Sequence, residues 1–148
     1  MRYSLEFLGW LCISLLLAVP GALAAGNDAS APAEGRLAFV SVAGAPGDGE
    51  EALTAALSKQ LAARGLKPAT AFQSNVYEVQ GTVRVAPRAK GKESVTIIWV
   101  VLGPDGTQLG ITRQSKDVPK GSLDRKWGAA ASAAAAAAAE DIIKLIPR

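Results

Sequence analysis

Ten of the eleven residues from 129 to 139 are alanine, interrupted only by Ser132. Alanine is the best helix former, so this run predicts a helix and not a disordered tract. Extended over 122–146, the helix carries Trp127, Ala131, Ala134, Ala138, Ile142 and Leu145 at a spacing near the helical period. The middle of that stripe has no bulk. Such a helix can lie unusually close to a sheet, clamped by Trp127 at one end and by Ile142, Ile143 and Leu145 at the other. A membrane-spanning helix fits poorly, because Glu140, Asp141 and Lys144 interrupt the apolar run.

The preceding residues supply the sheet. The run LAFVSV at 37–42 is rich in β formers and is broken by Gly44, Pro46 and Gly47. Asp48, with Glu51 three positions on, has capping-box spacing. Leu53, Leu57 and Leu61 then give a helix over 49–64 one apolar face, and Gly65 stands at its left-handed C-terminal position. Pro68 makes a weak strand near 66–71 an edge strand. Tyr77, Val79, Gly81, Val83 and Val85 alternate with polar residues, as in a strand with one buried face. Residues 88–92 read as a basic loop. The run VTIIWVVL at 95–102 is apolar on both faces and suits a central strand. Gly103-Pro104-Asp105-Gly106 is hairpin-turn chemistry, and 108–115 returns as a partly polar strand with Leu109 and Ile111 on its buried side. The order is β-α-β-β-β-β-α. This predicts a two-layer α/β (α+β) fold: one mixed sheet, parallel across the first crossover and antiparallel at the later hairpins, with two helices packed on it.

The amino-terminal end is of another kind. A basic start at Arg2, an apolar run over 7–19, the breaker Pro20-Gly21 and the small residues Ala22-Leu23-Ala24 form the pattern of a cleavable export signal. The apolar run is shorter than the roughly 20 residues that a spanning helix needs, which weighs against an uncleaved anchor. Residues 1–24 are therefore read as signal peptide, with cleavage after Ala24 or Ala25, 25–35 as a flexible segment and 36–148 as a single domain. The expected location is the periplasm. The one cysteine, Cys12, lies inside the apolar run behind Leu11, a poor place for lipid attachment. The exported part then has no cysteine and no disulfide. Removing Arg2 and Glu6 with the signal leaves 15 basic and 12 acidic residues, a charge of +3 that is too mild to argue for nucleic acid.

Three segments carry a resemblance. Gly44-Ala45-Pro46-Gly47-Asp48-Gly49 precedes a Leu-rich helix, Thr96-Ile97-Ile98-Trp99-Val100-Val101 leads into Gly103-Pro104-Asp105-Gly106, and Val118-Pro119-Lys120-Gly121-Ser122-Leu123 leads into Trp127-Gly128 and the alanine-rich helix. Together, over roughly 36–146, they resemble a family of small uncharacterised alphaproteobacterial envelope proteins, many of them lipoproteins. This chain departs from the lipoprotein members in lacking a usable lipobox cysteine. The element order is also similar to the α/β modules of the Tol-system propeller protein, the curli secretion lipoprotein and the activator lipoproteins of penicillin-binding proteins. The resemblance implies an envelope module that binds or assembles with other envelope components. Fold analogy alone does not fix function.

Residue chemistry narrows the field further. With no histidine and with Cys12 removed, Ser-His-Asp and Cys-His nucleophile systems and zinc sites are excluded. Gly44 and Gly49 have phosphate-loop spacing, but Glu50 and Glu51 follow where Lys and Ser or Thr are required, so the segment reads as a turn and helix start. Glu50-Glu51 and Glu140-Asp141 are helix neighbours that point in different directions, while Asp117 and Asp124 flank one loop. The expectation is a protein with no catalytic site, no metal and no cofactor.

The candidate binding residues are Arg84, Arg88, Lys90, Lys92 and Trp99. The four basic residues suit contact with anionic lipid, a membrane surface or an acidic partner, and equally suit a solvated loop that keeps a sheet edge soluble. Trp99 lies in the strand that is apolar on both faces. If both helices cover one face, Ile98, Val100 and Leu102 or their opposites are left as an interaction surface. The leading expectation is a noncatalytic envelope protein that binds a protein partner through a sheet face or edge. The alternative is a periplasmic small-ligand or lipid carrier, which needs an apolar pocket between sheet and helices. A carboxylate-only hydrolase is the third.

Overall fold

The computed structural model describes residues 36–148. The expected signal peptide, flexible segment and Cys12 lie outside the described residues. The described chain runs β1 (Leu37–Ala43), α1 (Gly49–Ala62), β2 (Lys67–Pro68), β3 (Val76–Arg88), β4 (Lys92–Leu102), β5 (Gln108–Pro119) and α2 (Gly128–Leu145). The strands form one mixed sheet in the order β2-β1-β3-β4-β5. β1 pairs in parallel with both β2 and β3, and the β3–β4 and β4–β5 hairpins are antiparallel. The two-layer α/β architecture is the expected one. β2 is only two residues long and sits at the edge, where Pro68 costs no ladder bond.

Both helices lie on the same side of the sheet. Val40 of β1, Val79 and Val83 of β3, and Ile97, Trp99 and Val101 of β4 pack against Leu53, Leu57 and Leu61 of α1 and Ala131, Ala135 and Ala138 of α2 in one core. Cross-strand register explains the shared face: Val79 stands opposite Val101, Gly81 opposite Trp99, and Val83 opposite Ile97. A Cβ on Gly81 would lie 2.5 Å from the Trp99 ring, so only glycine leaves room for the indole.

The alanine helix differs from expectation in two ways. It begins at Gly128, not near 122, because 120–127 forms a connecting loop that buries Leu123 and Trp127. Its buried stripe is Ala131, Ala135, Ala138, Ala139 and Ile142, with Ala134 only half-buried. The small residues bring α2 against α1 more extensively than onto β4 or β5. Close approach to the sheet occurs at the C-terminal end, where a Cβ on Gly110 would meet the Leu145 side chain at 2.6 Å.

Three local expectations are corrected. Asp48 occupies the N-cap position of α1, but its side chain makes no cap bond. Its Oδ1 instead accepts the backbone N–H of Trp127 at 2.8 Å. The span 88–92 is not a free loop, since Arg88 pairs with Lys92 and only 89–91 turn. Lys90 and Gly91 both take positive φ there, at 61° and 66°. β5 runs on to Pro119 because the long β3–β4 hairpin offers it a partner along its whole length.

Candidate functional site

The loop from Gly44 to Gly49 and the loop before α2 interlock. The Asp48 N–H donates to the Arg125 carbonyl at 3.0 Å, and the Trp127 indole N–H donates to the Pro46 carbonyl at 2.8 Å. Gly47, at φ +62°, lies so close to Arg125 that a Cβ would stand 2.6 Å from that carbonyl oxygen. Gly49 sits against the Trp127 ring, with 2.4 Å left for a Cβ. The Gly44 N–H donates to Glu50 Oε1 at 2.8 Å. The N–H groups of Gly44, Asp48 and Gly49 are therefore engaged within the protein, and the glycines of phosphate-loop spacing are explained by packing. The two loops meet here as a structural latch.

The acidic pairs diverge. Glu140 reaches Arg64 of α1 at 2.5 Å, whereas Asp141 pairs with Lys144 on its own helix at 3.0 Å. The hydrogen bond from Arg64, with its positive charge, holds the Glu140 carboxyl below the usual carboxylate range. In the β4–β5 turn, the Thr107 hydroxyl bonded to Asp105 at 2.6 Å lowers that carboxyl likewise. Among the described residues, no group of three or more Asp and Glu side chains is placed to hold a metal ion.

Two surfaces remain. The first is the sheet face opposite the helices. Its apolar field is Phe39, Ile98, Val100, Leu102 and Ile111, with Val100 directly across from Ile111. Ile111 is 55% exposed and the other four are partly exposed. None of them belongs to the core, and no described helix or strand packs over them. The sequence-predicted basic residues join this face. Arg84 and Arg88 follow the same alternation along β3, Lys92 stands opposite Arg88, and Arg113 stands opposite Ile98. Lys90 lies exposed in the turn. Trp99 is placed elsewhere: it is fully buried on the helix side, so its alternating neighbours Ile98 and Val100, and not the indole, offer a contact surface. Its indole nitrogen is buried without a partner. Ile111 also differs from expectation. Leu109 packs on the core, while a register shift beside Val101 and Leu102 leaves Ile111 outward.

The second surface is a half-open slot of about 280 Å³ between α2 and the β4–β5 hairpin. Val95, Ile97 and Val118 form one wall and Ala130, Ala134 and Ala137 the other. Leu123 and Trp127 also line it. Gln114 Nε2 crosses from β5 to the Ala134 carbonyl at 3.1 Å, and exposed Lys116 stands on the rim. The alanine run predicts close packing on the sheet, but opposite its middle β5 presents Gln114 and Lys116 and no bulky apolar side chain, so a slot is left.

No family model matches the sequence. No curated protein matches it either. Among solved structures, the fold is similar to that of an uncharacterized protein at 16% identity, covering 76% of this chain and 93% of that one, with a TM-score of 0.50. It is also similar to the PelC dodecamer from Paraburkholderia phytofirmans, at 16% identity over 75% of this chain and 86% of that one, with a TM-score of 0.49. A minor lipoprotein from Acinetobacter baumannii aligns at 11% identity over 74% and 91%, with a TM-score of 0.44. At such identities the likeness bears on fold alone. Among the described residues, no helix is long and apolar enough to cross a membrane.

Proposed function

We propose that this chain is a noncatalytic module of the periplasm, exported by its amino-terminal signal, that binds a protein partner through the open face of its sheet. The observation that carries the reading is the field of Phe39, Ile98, Val100, Leu102 and Ile111, which lies outside the core and under no described element. An exposed apolar field bordered by polar residues is a common mark of an association surface. Arg84, Arg88, Lys92 and Arg113 share that face with only Glu78 and Asp117 as acids, so the matching partner presents an apolar patch edged with carboxylates. The absence of imidazole and thiol from 36–148 supports work done by a surface and not by a nucleophile.

Photocrosslinking in the cells that export the protein tests this. A photoreactive side chain at Val100 is expected to give one discrete protein adduct. The same group at Ala55, exposed on α1, is expected to give none. Substituting Ile98 and Ile111 by Glu should abolish the Val100 adduct. Equal labelling from both positions, or none from the open face, contradicts the reading. A second reading, a small-ligand or lipid carrier, is supported by the apolar slot beside α2.

A further inference from the structure

The slot between α2 and the β4–β5 hairpin has a shape and a setting that narrow what it can take. At about 280 Å³ it lies near the lower bound of small-ligand sites. Its walls are aliphatic and alanine side chains, and its one crossing amide, Gln114, already donates to Ala134. Such walls hydrogen-bond little and suit a thin apolar chain.

The charge beside it is mainly positive. Over 115–127, the end of β5 and the loop leading into α2, there are four basic residues and two acidic ones. Of the two acids, Asp117 stands opposite Ser94 on the other face of the sheet. Glu93 of β4 is engaged by the Gly121 N–H at 3.1 Å. Lys116 is the charged residue that lines the slot itself. Lys120 is tied beside the hairpin turn by its backbone bond to Gly91 at 2.9 Å, and Lys126 directly precedes Trp127.

We propose that this slot holds the acyl chain of a single-chain anionic lipid, with the head group outside against Lys116. The proposal rests on the carrier reading and deepens it; it does not depend on the open sheet face. Val95, Val118 and Leu123 enclose the chain, Trp127 touches it, and the alanines of α2 leave the room it fills.

The test uses the full chain, with Trp127 emission taken as the difference from a Trp127→Phe variant because Trp10 and Trp99 also emit, and 9,10-dibromostearate as probe, because bromine quenches an indole only on close approach. All variants share residues 1–35, so any affinity of that segment is common to them. Saturable quenching of this Trp127 component is expected. Ala134→Leu fills the slot while keeping a good helix former, and is expected to weaken binding about tenfold or more. Ala137→Leu, at an exposed position on the same wall, does the same if the first variant folds poorly. Lys116→Glu should weaken stearate binding about fivefold. The same change should leave a brominated lysophosphatidylcholine, whose head group is neutral overall, unaffected. Absence of saturable Trp127 quenching, unchanged affinity in both slot-filling variants, or equal binding of the two head groups would each overturn the proposal. So would binding to phosphatidylglycerol vesicles without quenching by the soluble probe, which would make the basic end a membrane contact and not a head-group site. Loss of this binding with the Val100 adduct intact sinks the lipid proposal alone.

Discussion

The two faces of β4 differ in what their side chains are for. Val95, Ile97, Trp99 and Val101 point toward the helices and are buried, while Ile98, Val100 and Leu102 point the other way and touch none of the core. In sequence the two sets are interleaved and equally apolar. What separates them is the placement of both helices on one side. A strand that is apolar on both faces reports that two surfaces want cover, and here the described domain covers one. The remaining face is the most economical place to look for a partner.

That contrast predicts unequal costs. Trp99→Ala should lose about 3–5 kcal/mol of stability, since it deletes the largest buried side chain. Gly81→Ala should cost about 1–3 kcal/mol, because the new methyl meets the same indole. Val100→Ser, one position along from Trp99, should cost about 1 kcal/mol or less, as for a partly exposed site. Chemical denaturation of the three variants checks the order, and a Val100→Ser penalty equal to that of Trp99→Ala would break the comparison. At the outer end of the hairpin, Lys90→Asn should add about 0.5 kcal/mol by relieving a side chain held at positive φ.

The covered side has its own surface tie, in which Arg64 of α1 holds Glu140 of α2. The Glu140 carboxyl is lowered in the folded state, so the tie stabilises above the ordinary carboxylate range and is lost as pH falls through the lowered value. The melting temperature of Glu140→Gln should lie slightly below wild type at neutral pH and converge with it in acid. This is the smallest of the expected effects, because Glu140 is well exposed.

The sequence made the element order legible because its periodicities are clean. Leu53, Leu57 and Leu61 mark one helix face, and Tyr77 to Val85 alternate as a strand should. Pro68 marked the edge strand correctly. The capping box was misleading because Asp48 has a nearby competitor, the Trp127 N–H, which lies 79 residues away in sequence. The hairpin arms were read too short because Arg, Lys and Ser on an exposed ladder resemble a loop. As to the candidate surfaces, the apolar doubling of β4 was visible, but which of its faces stays open depends on long-range packing. The basic residues were visible too, yet their place beside the apolar field follows from register.

Thiol labelling of the purified protein, with Cys12 replaced by Ser, tests the difference between the faces most directly. A cysteine at Val100 should react with a maleimide nearly as fast as in the unfolded chain. A cysteine at Val101 should react about a thousandfold more slowly or less, limited by opening of the core. Matching protection at the two positions would mean that the second face is covered within the protein itself, and the account of an open binding surface would fail.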